Sequence, residues 1–182
     1  MKEEEFINND ILNAIIKNDI DKVKTLLKLN KSFHFNQNLY YACEHNLSDI
    51  VNLLLKQNKL NQQNINMALN IAADNGSFES FRNILTYNKK YTNLNLSNVN
   101  KALQVAIRNE YINIIELILN DKQINPTAYD NSAIRVAVDI NNEKIIKILW
   151  NNKYIKNSLK NDNKYLYDKL YKLEFEKKMK RF

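Results

Sequence analysis

The sequence predicts an all-α solenoid of about five stacked helix pairs. Three observations carry this: an apolar signature repeated five times, a period near thirty residues, and a turn residue at one fixed place in each copy. The signature is anchored on Ala14, Ala42, Ala72, Ala106 and Ala137. Three residues before each anchor stands an aliphatic, Ile11, Leu39, Leu69, Leu103 and Ile134, so the first stripe has helical spacing. Nine residues after it stand Val23, Val51, Phe81, Ile115 and Ile146. At twelve and thirteen come Leu26-Leu27, Leu54-Leu55, Ile84-Leu85, Ile118-Leu119 and Leu149-Trp150, which form a second helical stripe. The anchors are 28, 30, 34 and 31 residues apart, the period of stacked helical hairpins.

Each element then follows in order. The turn within each pair falls four residues after the anchor, at Asn18, Asn46, Gly76, Glu110 and Asn141. A short helix that reverses needs a left-handed residue, and glycine and asparagine adopt that conformation most cheaply, so Glu110 is the exception. Six residues before the anchors stand Asn8, Asn36, Asn66, Asn100 and Asn131, read as N-caps of the first helices. The expected repeats are 8–35, 36–65, 66–99, 100–130 and 131–157 within a single domain spanning 1–182. A basic C-terminal capping helix follows over 158–182. Its stripe is Leu166, Leu170 and Leu173, Asn161 or Asp162 is expected to cap its start, and Lys177, Lys178, Lys180 and Arg181 suit its end.

This pattern resembles the ankyrin repeat, whose usual form is T-P-L-H-x-A-A-x-x-G followed by an aliphatic and a Leu-Leu pair. The clearest copies are Ala68-Leu69-Asn70-Ile71-Ala72-Ala73-Asp74-Asn75-Gly76 and Ala133-Ile134-Arg135-Val136-Ala137. The connector Ile124-Asn125-Pro126-Thr127-Ala128-Tyr129-Asp130-Asn131 is similar to those of asparagine-rich, divergent ankyrin proteins from AT-rich protist or large DNA virus genomes. No copy has the Thr-Pro start or the histidine after the leucine. Short spacings imply short connectors between the first three units, and only 86–99 is long enough for a full projecting finger.

The resemblance implies a non-catalytic protein–protein interaction scaffold that uses the concave face formed by the first helices. The residues flanking the core stripe there include Tyr40, Glu44, Asp74, Arg108, Arg135 and Asp139, a mixed-charge row with one aromatic anchor. The same row also reads as a solvated face with internal ion pairs such as Arg135 with Asp139.

Charge is unevenly placed. Residues 1–149 hold 17 basic and 16 acidic side chains, whereas 150–182 hold 10 and 4, so nearly all of the net +7 lies in the tail. Interleaved with tail lysines are Tyr165, Tyr167, Tyr171 and Phe175, which makes nucleic-acid or polyanion binding the alternative function. The bland reading is a terminal cap over Ile146, Leu149 and Trp150, and one helix can do both.

Catalysis finds little support. Cys43 and His45, two residues apart on a helix, point in different directions, and Cys43 fills a small core position. One cysteine and the histidines His34 and His45 do not make a four-ligand zinc site, and a single glycine cannot build a phosphate loop. No enzyme activity, cofactor or metal is expected. The lone cysteine fits a reducing compartment, the acidic start Met1-Lys2-Glu3-Glu4-Glu5-Phe6 is unlike a signal peptide, and no apolar run spans a membrane. The expectation is an intracellular, cytoplasmic monomer with a protein partner, in host cytoplasm if the chain is viral.

Overall fold

The computed structural model describes residues 10–29, 34–91 and 95–179, with side chains as far as Glu174. All the regular structure among them is helical: α1 (10–16), α2 (Ile20–Leu29), α3 (Phe35–Glu44), α4 (Ser48–Leu55), α5 (Gln62–Asp74), α6 (Phe78–Tyr91), α7 (Leu96–Arg108), α8 (Ile112–Leu119), α9 (Ala128–Asp139), α10 (Glu143–Trp150), α11 (Lys153–Asp162) and α12 (Lys164–Met179). The chain forms two compact units, Met1–Ala102 and Leu103–Phe182. In the first, α3 packs on α5 and α4 on α2 and α6, first helix to first helix and second to second. In the second, α9 and α10 pack on each other, and both touch α11.

The five anchor alanines are buried, as are Ile11, Leu39, Leu69, Leu103 and Ile134. The second stripe is buried through Val23, Val51, Phe81 and Ile115, while in α10 Ile145 takes the deepest place and Ile146 is half-buried.

The turn chemistry repeats in all five pairs. Asn18, Asn46, Gly76, Glu110 and Asn141 all have φ between 51° and 66°. In each, the N–H of that residue donates to the carbonyl one after the anchor, as Asn46 does to Cys43 at 3.3 Å. The next N–H reaches back to the anchor carbonyl itself: Asp19 to Ala14 at 2.9 Å, Leu47 to Ala42 at 2.8 Å, Ser77 to Ala72 at 2.9 Å, Tyr111 to Ala106 at 2.9 Å and Asn142 to Ala137 at 3.3 Å. These two bonds are the Schellman motif, which satisfies carbonyls that a helix end leaves bare. The same fifth residue then starts the second helix, so one short turn ends one helix and begins the next.

Two of these turns make opposite predictions. Glu110 holds φ 61° with an exposed side chain, a conformation that strains an ordinary L-residue. Glu110→Gly is expected to stabilise the chain by about 0.5–1 kcal/mol. Asn46 is different, because its Oδ1 accepts the Ser80 N–H of α6 at 3.1 Å and so ties one repeat to the next. Asn46→Gly is expected to cost about 1 kcal/mol by losing that bond. Urea unfolding of both variants checks the pair, and shifts of the same sign would contradict this account of the turns.

The expected caps are corrected. Asn36, Asn66 and Asn100 lie inside α3, α5 and α7, and Asn131 is left-handed at φ 55°, while Asn8 lies outside the described residues. The starts of α5, α7 and α9 fall about a turn earlier, and that of α3 two residues earlier, after His34. Asn61 caps α5 through a reciprocal box, its Oδ1 accepting the Asn64 N–H at 2.8 Å while Asn64 Oδ1 accepts the Asn61 N–H at 3.3 Å. Asn95 caps α7 through the Asn98 N–H at 3.1 Å. The reason is an aliphatic seven residues before the anchor, Ile65 or Val99, fully buried, which extends the stripe by about one turn.

The finger expected over 86–99 is also corrected. Residues 86–91 continue α6, where Asn88 is buried and the Tyr87 and Tyr91 rings lie 5.0 Å apart, and 96–99 already belong to α7. Irregular backbone occurs instead at the start of α9, where Tyr129, Asp130 and Asn131 are left-handed in succession.

The tail consists of two helices, α11 and α12, broken at Asn163. Asn152 caps the first, accepting from the Tyr154 N–H at 3.0 Å and the Ile155 N–H at 3.4 Å. Asn163, rather than Asn161 or Asp162, caps the second through the Leu166 N–H at 3.1 Å. Leu166 and Leu170 are buried, but Leu173 is 44% exposed. The docking contact comes instead from Tyr167, whose ring lies 5.3 Å from Trp150, and from Glu174, whose Oε2 accepts the Trp150 Nε1–H at 2.7 Å. The side chains of Phe175, Lys177, Lys178, Lys180 and Arg181 lie outside the described residues.

Candidate interaction face of the first helices

In the first unit, the exposed side of α3 and α5 forms an open cleft of about 530 Å³. Tyr40 and Met67 give it two large side chains, and the rest of its lining is amide: Asn36, Gln63, Asn64, Asn66 and Asn70. No carboxylate, ammonium or guanidinium lines it. Met67 is half exposed at 50%. The side chains two residues before the anchors, Tyr40 and Asn70, reach the first turn of the next first helix, where the Tyr40 hydroxyl accepts from Asn64 Nδ2 at 3.2 Å and Asn70 Nδ2 donates to Asn98 Oδ1 at 3.0 Å. Asn98 in turn donates to the Asn66 carbonyl at 3.0 Å. Asn70 Oδ1 is buried with no partner. An amide network of this kind holds the cleft wall in place while leaving donors and acceptors at its surface.

Of the residues expected to bind a partner, Tyr40 lines this cleft, while Glu44 and Asp74 are exposed at the far ends of α3 and α5. In the second unit, Arg108 is exposed at the end of α7 and Asp139 at the end of α9. Arg135 pairs with Asp130, where an ion pair with Asp139 was expected. The left-handed turn over 129–131 swings the Asp130 carboxylate onto the guanidinium. The amides at Gln63, Asn64 and Asn66 were missed as lining, because asparagine is so frequent here that no single one stands out.

Cys43 is buried, and burial pushes its thiol far above the ordinary range, which leaves no thiolate for nucleophilic attack. His45 is exposed, its ring 4.2 Å from that of Tyr41. No group of three or more His, Cys, Asp or Glu that could hold a metal ion occurs among the described residues. No described helix is long and apolar enough to cross a membrane.

The family described as ankyrin repeats (3 copies) matches residues 69–161, just over half of the chain. The chain belongs to the ankyrin-repeat family. Its fold class is accordingly the all-α, ankyrin-like solenoid, and the match runs from the second half of α5 through α6 and the fourth and fifth helix pairs into α11. The first two pairs share their left-handed turns and anchor bonds. No curated protein matches the chain. Ankyrin repeats are in general protein–protein interaction modules.

Proposed function

We propose that this ankyrin-repeat chain is a non-catalytic scaffold, working inside the cell as a monomer, that binds a protein partner through the exposed side of its first helices. The contact set is Tyr40, Glu44 and Asp74 in the first unit and Arg108, Arg135 and Asp139 in the second. The observation that supports this reading is the α3–α5 cleft, where an aromatic and an exposed methionine stand on a wall of amides that the inter-repeat bonds hold in place. Tyrosine in such a setting supplies large contact area at low entropic cost, and central aromatics dominate binding energy where they occur.

The test is affinity capture from the cell of origin, followed by measured binding of the purified partner. The captured protein is expected to survive nuclease treatment, and Tyr40→Ala is expected to weaken it by about tenfold or more. Tyr40→Ala also removes the bond to Asn64, so circular dichroism must show an intact fold. Equal binding by the folded variant would count against this face.

A further inference from the structure

We propose that the outer face of the α11–α12 helix pair binds single-stranded nucleic acid, with tyrosine rings stacking on bases and lysines meeting phosphates. This surface shares no residue with the protein-binding face, and the proposal does not rest on that reading.

On α12, Leu166 and Leu170 are buried and Tyr167 and Glu174 are turned to Trp150. The opposite side therefore carries Tyr165, Lys169 and Lys172 at i, i+4 and i+7, with Lys164 beside them, and all four are exposed. On α11, Ile155 and Leu159 are buried, which leaves Lys153, Tyr154 and Lys160 outside. Tyr154 is 59% exposed, Tyr171 53% and Tyr165 79%.

A helix pair that only sealed the end of the stack needs its buried stripe and a solvated remainder. Sealing accounts for Tyr171, whose ring stacks on Tyr167 at 6.0 Å, but not for Tyr165, which is 79% exposed, or for Tyr154, whose exposed ring carries the Lys153 Nζ at 5.1 Å. Nor does helix stability explain Lys164, which stands in the first turn of α12, where the helix dipole disfavours a cation and the helix places no acid, while Lys153 stands likewise in the first turn of α11, set on the Tyr154 ring. The docking chemistry is done by other groups: Glu174 pairs with Lys156, and Lys156 lies 4.7 Å from the Trp150 ring. Asp162 accepts from the Ser158 hydroxyl, which leaves Asp168 as the one carboxylate on the outer side of α12 among the described residues.

Interleaved lysine and exposed aromatic side chains match a single strand, because unpaired bases offer π-faces that a duplex keeps stacked within itself. Phosphate contacts supply affinity that falls with salt.

The test is fluorescence anisotropy of the full chain with a labelled oligouridylate about a dozen nucleotides long. The expected result is saturable binding whose log affinity falls against log salt with a slope of about −2 to −3, as three or four phosphate contacts require. Tyr165→Ser should weaken binding by roughly fivefold or more and leave the slope unchanged, since it removes a stacking platform and no charge. Lys164→Gln with Lys169→Gln should flatten the slope, and Asp168→Asn should tighten binding. A duplex of the same length and phosphatidylserine vesicles should bind more weakly than the single strand. The proposal is overturned if the oligonucleotide does not saturate, if duplex or vesicles bind as tightly, or if Tyr165→Ser changes nothing. In the last two cases the surface is a plain cationic patch.

Discussion

Truncation after Asp162 should unfold the end of the second unit or make the protein aggregate. Residues 163–182 supply Leu166 and Leu170, both buried, and the Tyr167 ring and Glu174 carboxylate that cover Trp150. At about 1.5–3 kcal/mol for each large apolar side chain returned to water, the loss reaches about 5 kcal/mol, comparable to the whole stability of an ordinary domain. Leu159 and Trp150, buried at present, would face solvent as one apolar patch. By contrast, Lys164→Gln with Lys169→Gln should change the stability by no more than about 0.5 kcal/mol, as exposed substitutions usually do. Thermal unfolding with light scattering reads both. A truncated protein that stays monomeric with an unchanged midpoint would show that α12 caps nothing.

Ala72→Leu should cost about 1–3 kcal/mol in a chemical denaturation series. Ala72 is fully buried on α5, which packs against both α3 and α6, and its carbonyl accepts the Ser77 N–H that closes the turn. An extra three carbons there must push apart helices already at packing distance, and the displacement loads the turn bond as well. Neutral behaviour would place the repeat register elsewhere.

The periodic features were legible because they are set by geometry that every copy must meet. A buried small residue at the anchor and a left-handed residue four later are needed wherever a helix stops and reverses in so few residues. Even Glu110, chemically ill-suited, adopts the turn. Helix starts were not legible from caps, because asparagine supplies about one residue in six and offers a capping side chain almost everywhere. The usable signal was the stripe itself: Ile65 and Val99 continue it seven residues before their anchors, whereas Asp130 breaks it at the same place in the fifth unit, where the chain turns left-handed. That turn also redirected Arg135 from Asp139 to Asp130, a contact no helical spacing predicts.

The candidate site was legible only in part. Tyr40 stood out as the one aromatic in its row, but the amide cleft around it depends on how α3 and α5 pack and on ties such as Asn70 to Asn98, which join residues 28 apart. In the tail, a leucine stripe located the buried face at Leu166 and Leu170, yet it missed the break at Asn163 and the pairing of Tyr167 with Trp150. A one-residue interruption leaves both flanking patterns helical.

Amide hydrogen exchange tests the repeat register most directly. The N–H groups of Asp19, Leu47, Ser77, Tyr111 and Asn142 sit in short turns that would exchange freely in an irregular loop, but each donates to the carbonyl of an anchor alanine. The account predicts slowed exchange at all five, strongest at Leu47, Ser77 and Tyr111, away from the ends where stacks fray. Exchange at Leu47, Ser77 or Tyr111 as fast as in an unstructured peptide would contradict it.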